Sequence, residues 1–158
     1  QGVMGPTGAT GPQGPTGPAS VNTLSGIQAE LGVAAESLIE NGQNIRFNLI
    51  TNQPGSDISY NSQTGEFNLP AGKNYYAAWW AAVDGTESSL IVEFAVAVDD
   101  ILVSIGSSPQ VTSQFSGSAL ITSSTMVQKL SLRNVTGETV RLAGTTVQAN
   151  LVIVELAS

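Results

Sequence analysis

The stretch from Tyr75 to Val83 reads YYAAWWAAV and is apolar at every position. In an extended chain successive side chains point to opposite faces, so Trp79 and Trp80 should lie on different faces of a strand. One face would hold Tyr75, Ala77, Trp79, Ala81 and Val83, and the other would hold Tyr76, Ala78, Trp80 and Ala82. An antiparallel strand with one solvated face would alternate with polar residues instead. We therefore expect one face to meet a sandwich core and the other to be covered by a neighbouring copy of the chain.

The last predicted strand, residues 146–156, repeats this two-sided pattern. One face would hold Val147, Ala149, Leu151 and Ile153, and the other would hold Val152, Val154 and Leu156. Burying one such side chain contributes about 1.5–3 kcal/mol, and a doubly apolar strand left in water would promote aggregation. The predicted core or trimer-interface residues are Tyr75, Tyr76, Trp79, Trp80, Leu151, Val152, Val154 and Leu156. The alternative is a small sheet that its own chain covers on both sides.

The rest of the chain from Ile45 onward also reads as short strands separated by Gly, Asn, Ser and Pro. The predicted strands are 45–50, 58–60, 66–69, 74–83, 89–98, 101–105, 112–122, 125–135, 139–143 and 146–156. No helical periodicity appears after residue 40. Regular short strands with such turns are typical of a sandwich, and about ten of them in two sheets predict an all-β jelly roll over residues 45–158.

Residues 1–19, hereafter the stalk, carry a strict Gly-X-Y repeat. Its glycines are Gly2, Gly5, Gly8, Gly11, Gly14 and Gly17. This phase is the signature of the collagen triple helix, in which three chains wind around an axis where only glycine fits. A flexible Gly/Pro linker, the alternative, would not keep the phase. The stalk therefore predicts a homotrimer.

Proline occupies the X position of the repeat and never the Y position, where Thr7, Thr10 and Thr16 stand instead. These threonines are either bare and solvent-facing or sites of O-linked sugars. Six triplets are too few to hold three chains together, because association costs entropy that a short stalk does not recover. A trimeric domain after the stalk would raise the effective concentration to about the millimolar range. We expect the chain to be the C-terminal piece of a longer stalked protein.

Residues 20–44 join the stalk to the β domain. Apolar residues recur there with heptad spacing: Leu24, Ile27, Leu31, Ala34 and Leu38. This spacing fits a short trimeric helical neck, but Gly26 and Gly32 each weaken a helix by ~1 kcal/mol relative to alanine, which favours the other interpretation. That interpretation is a loosely ordered linker or a partial first strand.

The composition disfavours several classes of function. The chain has no histidine and no cysteine, which removes Ser-His-Asp and Cys-His nucleophiles and most zinc sites. Its net charge is −7, and its pI near 4.2 disfavours binding to nucleic acid through phosphates. No apolar run reaches transmembrane length. We expect no enzyme, no cofactor and no membrane insertion of this fragment.

Acidic residues leave calcium as a weak alternative. Asp99 and Asp100 are adjacent, and Asp84 precedes a glycine. Calcium takes six to eight oxygen ligands, and no acid-rich loop supplies them, so we interpret these residues as turns. Asn134-Val-Thr136 matches a glycosylation sequon, but Gly137 follows it and favours an unmodified turn.

A Gly-X-Y stalk followed by an all-β domain resembles the C1q/TNF-like superfamily. The segment FNLPAGKNYYAAWW at residues 67–80 is similar to a strand of its bacterial members, which include collagen-like glycoproteins of the spore exosporium (BclA type). The resemblance implies a homotrimeric jelly roll at the tip of a filament, glycosylated stalks, an extracellular place on a spore or bacterial surface, and a role in adhesion.

Two further functions stay open at this stage. The domain could be an adhesin that binds host matrix, complement or glycans, in which case host receptors are partners beside other surface-layer proteins. It could also be the tip of a phage tail fibre, since phage fibres share the same layout. In each case the first partner is the chain itself.

Overall fold

A computed structural model describes residues 1–5, 24–33, 37–122 and 124–156 of the chain. Within these residues it contains twelve strands and no helix. The first six strands are β1 (Gly26–Gly32), β2 (Leu38–Ile39), β3 (Leu49–Asn52), β4 (Ser59–Asn61), β5 (Glu66–Leu69) and β6 (Asn74–Thr86). The other six are β7 (Val92–Val98), β8 (Ile101–Ser108), β9 (Thr112–Ile121), β10 (Gln128–Asn134), β11 (Val140–Leu142) and β12 (Val147–Leu156).

The strands form two antiparallel sheets that pack as a jelly-roll sandwich, as the sequence predicts. In the seven-stranded sheet β6 pairs with β9 on one side and with β12 and β11 on the other. Strand β12 continues to β1, and β1 continues to β3, while β11 pairs with β2. The five-stranded sheet has the order β4, β5, β10, β7, β8. Strands β9 and β8 are therefore edge strands, and they lie on the same side of the sandwich.

The segment between the stalk and the β domain contains a strand, as one of the two interpretations of the sequence allowed, and not a helical neck. Residues Gly26–Gly32 form β1, which pairs with β12 over its whole length. A helix would leave β12 without this neighbour, and Ile27, Ala29 and Leu31 alternate inward into the core as a strand requires. The sandwich thus includes residues well before position 45.

The predicted strand at 45–50 is also placed differently. Ile45 and Phe47 are fully buried, but the strand itself is Leu49–Asn52. The backbone N–H of Ile45 donates to Leu132 at 2.7 Å, outside any regular ladder. The alternation of apolar residues therefore predicts which side chains are buried, but it does not predict which residues pair in the sheet.

Trp79 connects the two sheets at the centre of the core. Its ring lies edge-on to Phe94 and Phe115, with centroid distances of 6.3 and 5.5 Å. A Cβ atom at Gly106 would lie 2.7 Å from this ring, and one at Gly117 would lie 2.8 Å from it. Gly106 belongs to β8 and Gly117 to β9, so these two glycines let both edge strands close over the indole.

A second aromatic group lies at β4 and β5, on the other side of the five-stranded sheet from β8. Phe47, Tyr60 and Phe67 are mutually in contact, and the Tyr60 hydroxyl donates to the Phe47 carbonyl at 3.0 Å. Burial raises the pKa of Tyr60 to about 12. This group anchors the irregular segment after residue 45 to β4 and β5.

Candidate self-association surface

The described chain enters the sandwich at Leu24, at the end of β1 that lies beside the end of β12. The backbone N–H of Glu155 donates to Ser25 at 2.9 Å, and that of Gly26 donates to Pro54 at 3.2 Å. Lys73 forms an ion pair of 2.9 Å with Glu155, and this hydrogen bond raises the pKa of Lys73. We call this end of the sandwich, where the chain arrives from the stalk, the stalk end, and the opposite end the far end.

The structure divides the predicted interface residues into two groups. Tyr75, Trp79 and Leu151 point into the sandwich and are buried, with Trp79 only 3% exposed. The others lie on the outer face of the seven-stranded sheet: Tyr76, Trp80, Val152, Val154 and Leu156. Tyr76 is 39% exposed. The two faces of β6 therefore meet different surroundings, and its outer face is the one left for a partner.

Strand register arranges the outer face in rows. The row nearest the stalk end that spans all four strands runs Leu120, Tyr76, Val154, Gly26 across β9, β6, β12 and β1. The next row runs Ser118, Ala78, Val152, Gln28, and the third runs Ser116, Trp80, Asn150, Glu30. Apolar side chains thus form a stripe along β6 and β12.

Polar side chains flank this stripe, which the two-sided sequence pattern does not predict. Serines occupy β9 on one side, and Gln28 and Glu30 occupy β1 on the other. The amides of Gln28 and Asn150 each donate to the Glu30 carboxylate at 3.4 Å. On the outer face the apolar stripe is therefore flanked by polar side chains of β9 and β1, and polar groups around an apolar centre are usual in protein–protein interfaces.

A second apolar surface lies on β8, the edge strand of the five-stranded sheet, and sequence analysis did not single it out. Its exposed residues are Ile101, Leu102, Val103 and Ile105. Ile101 is 69% exposed and Ile105 is 55% exposed. The run of three apolar residues from Ile101 to Val103 is the signal that could have found it, since it is the same two-sided pattern as in β6. We call this surface the β8 ridge.

Further exposed apolar residues lie at the far end. Leu90 is 82% exposed and Ile91 is 51% exposed, in the loop between β6 and β7. This loop is held by Glu138, whose carboxylate accepts hydrogen bonds from the backbone N–H groups of Ser88 and Ser89 and from the Ser88 hydroxyl. These hydrogen bonds, led by that of Ser89, lower the pKa of Glu138 to about 2.

We expect Glu138 to make the domain sensitive to acid. Because its folded-state pKa lies below the ordinary value of 4.5, its contribution to stability is present above pH 4.5 and is lost as the pH falls towards 2. Glu138→Gln should lower the thermal midpoint at neutral pH and reduce the loss of midpoint between pH 5 and pH 3. Melting curves of both proteins across this range measure the difference. Glu87→Gln, in the same loop, is the control and should leave the acid profile of the parent unchanged; an identical profile for Glu138→Gln would contradict the assignment.

Of the three weak calcium candidates, Asp99 and Asp100 have other partners, and Asp84 lies far from both. Asp99 accepts the backbone N–H of Lys129 at 2.9 Å, and Asp100 pairs with Arg133 at 2.6 Å, which lowers the pKa of Asp100. Both have positive φ angles, as in a two-residue hairpin turn, and they lie at the stalk end. Asp84 lies on β6 near the far end. Among the described residues no three His, Cys, Asp or Glu side chains come together as a metal site would need.

The sequon asparagine is part of the fold. Asn134 is fully buried, and its amide donates to the carbonyls of Ile39 and Glu138 at 2.8 Å. This geometry matches the turn interpretation.

Of the stalk residues, Gly2 and Gly5 are described and have open space around them. The remaining stalk glycines and Thr7, Thr10 and Thr16 lie outside the described residues.

Comparison with known proteins defines the fold family and no more. No protein-family model and no curated protein matches the chain. Among solved structures, the globular domain of zebrafish complement 1qA is similar with a TM-score of 0.58 and 14% identity, over 84% of this chain and 95% of that one. Eiger TNF from S. frugiperda is similar with a TM-score of 0.59 and 12% identity, over 87% and 95% of the two chains.

A third similar structure is the PRD1 vertex protein P5. It has a TM-score of 0.53 and 17% identity, and the similarity covers 88% of this chain and all of that one. At these identities the likeness is one of fold. The domain has the C1q/TNF-like jelly-roll fold that the sequence resemblance implies. No helix in the described part of the chain is long and apolar enough to cross a membrane.

Proposed function

We propose that this domain is a homotrimeric module that assembles a collagen-like stalk and is carried at its tip. Its role is structural rather than catalytic, and it needs no cofactor. One observation supports this most: β6 is apolar on both faces, and while its inner face is buried, Tyr76 on its outer face is exposed and Trp80 is only half-buried. The Gly-X-Y stalk on the same chain requires three copies.

The shapes of the apolar surfaces favour a closed ring. The outer face of the seven-stranded sheet is broad, while the β8 ridge is a narrow edge on the other sheet. Two different surfaces that meet between copies form a heterologous contact, which makes a ring if the rotation closes. Three copies related in this way would also bring three stalks to one axis.

The sequence resemblance is the basis for the location that we propose for the trimer. We favour an extracellular position on a bacterial spore or cell surface, as in collagen-like exosporium glycoproteins. The exposed Leu90 and Ile91 lie at the far end, which the stalk would hold outward, and this supports the adhesin alternative with host receptors as partners. The fold likeness to a PRD1 vertex protein supports the alternative of a phage fibre tip.

The stalk glycines test which part of the chain causes trimerisation. If the domain supplies the trimer, the variant Gly8→Ala/Gly11→Ala should lose the triple-helix circular dichroism signal in the cold while its mass stays that of three chains. Alanine does not fit at the axis of the triple helix, and on this proposal the trimer of the β domain does not depend on the triple helix. Thr7→Ala/Thr10→Ala changes the same number of side chains at Y positions and should keep both signal and mass. Dissociation of the glycine variant into monomers would show that the stalk drives assembly.

A further inference from the structure

An exposed leucine and a small pocket lie at opposite ends of one row on the outer sheet face. Leu120 on β9 is 75% exposed. Register places it beside Tyr76, then Val154, then Gly26 on β1. Leu120 and Gly26 are therefore at the same height along the strands, near the stalk end, on opposite sides of the sheet.

The pocket lies beside Gly26, where the backbones of β1 and β12 approach closely. A Cβ atom at Gly26 would lie 2.5 Å from the Ile153 carbonyl oxygen, so no larger residue fits this backbone. The cavity beside it measures about 70 Å³. Its lining includes Leu24, Gln28, Pro54, Val152 and Val154. These walls are mainly apolar and suit one aliphatic side chain.

The leucine of the same chain does not reach this pocket. Strands β9 and β1 are three inter-strand spacings apart, which is about 14 Å at ~4.8 Å each. If Leu120 fills the pocket, it must therefore be the Leu120 of a second copy. The stalk supplies the reason to expect one, since its Gly-X-Y repeat requires three chains on one axis.

We propose that Leu120 of each copy inserts into the Gly26 pocket of the next copy, and that three such contacts close the ring. This inference rests on the proposed trimer. The described chain begins β1 at one end of the strands, next to Leu24, and the proposal places the three-fold axis along the strands. Rotation about such an axis does not change height, and it therefore brings together surfaces in the same row. Leu120 and the pocket satisfy this condition, whereas Leu90 at the far end does not.

Engineered disulfides test the contact cleanly, because the chain has no cysteine. In the double variant Leu24→Cys/Leu120→Cys, oxidation should link neighbouring copies around the ring into a covalent trimer on a non-reducing gel. A disulfide needs Cα atoms about 4.4–6.8 Å apart, so the pair cannot close within one chain. Both side chains are exposed, at 62% and 75%, and the variant should fold like the parent by circular dichroism.

Three control proteins separate the outcomes. Each single-cysteine variant should remain unlinked, and Leu90→Cys/Leu120→Cys should also remain unlinked because its two sites differ in height. A trimer in solution whose Leu24→Cys/Leu120→Cys variant fails to cross-link would overturn the leucine contact and leave the proposed function standing. A parent chain that is monomeric in solution would overturn the proposed function itself. Dimers from Leu120→Cys alone would show a symmetric contact and also contradict the inference.

Discussion

Replacing Trp80 with aspartate should convert the trimer into folded monomers. Trp80 is the largest side chain on the outer face of β6, in the row with Asn150 and Ser116. A carboxylate there would be buried in the interface without a partner, and central interface aromatics commonly contribute about 2 kcal/mol or more. Each contact should therefore weaken by roughly 30-fold or more in Kd. Sedimentation velocity measures the loss of the trimer, and circular dichroism measures the fold.

The matched control for this variant is Leu90→Asp. Leu90 is an exposed apolar residue too, but it lies in the loop at the far end and away from the apolar stripe. The Leu90→Asp variant should remain trimeric and be as stable as the parent. If Trp80→Asp stays trimeric at micromolar concentration, the outer face of β6 is not the interface.

Trp79→Ala should have the opposite result, a domain that no longer folds stably. Trp79 contacts Phe94 and Phe115 and fills the space between Gly106 and Gly117. Truncating a buried tryptophan costs about 3–5 kcal/mol, and the two glycines offer no side chain to fill the cavity. A domain of this size is stable by about 5–15 kcal/mol in total. Urea unfolding monitored by fluorescence of Trp80 would show the lowered midpoint.

Trp80→Ala is the neighbouring control, since it removes the same ring from the other face of the same strand. It should leave the core intact and lower the free energy of unfolding mainly through weaker association, so its effect should fall with decreasing protein concentration. Equal, concentration-independent losses for both alanine variants would contradict the division of β6 into a core face and an interface face.

The sequence was sufficient for the fold class because its strongest signals are local. Alternation in β6 and β12 places Trp79 and Leu151 on one face and Trp80 and Val152 on the other, and the structure has this arrangement. The turn at Asp99-Asp100 was also predicted, since adjacent acids after an apolar strand favour a hairpin tip.

Other features depend on partners far away in the chain. Strand β1 lies within a segment whose heptad-spaced apolar residues also fit a helix, and its pairing with β12, more than a hundred residues later, makes it a strand. The Gly26 pocket is lined by residues of both β1 and β12, and the hydrogen bond from the Ser88 hydroxyl to Glu138 spans 50 residues. No local pattern carries such information.

The polar rim on the outer sheet face was unforeseen for a similar reason. Gln28 and Glu30 alternate correctly with the buried residues of β1, but the region was interpreted as a linker, a partial first strand or a helical neck, so its outward residues were not assigned to the sheet. Once β1 is placed beside β12, these two side chains become neighbours of Asn150.

The mass of the chain in solution tests the central claim most directly. Sedimentation equilibrium at micromolar concentration should give three times the 16.2 kDa of one chain, for the parent and for the variant with disrupted stalk glycines alike. A stable, folded monomer of 16.2 kDa under these conditions would contradict the account, because the apolar outer face of β6 would then have no partner.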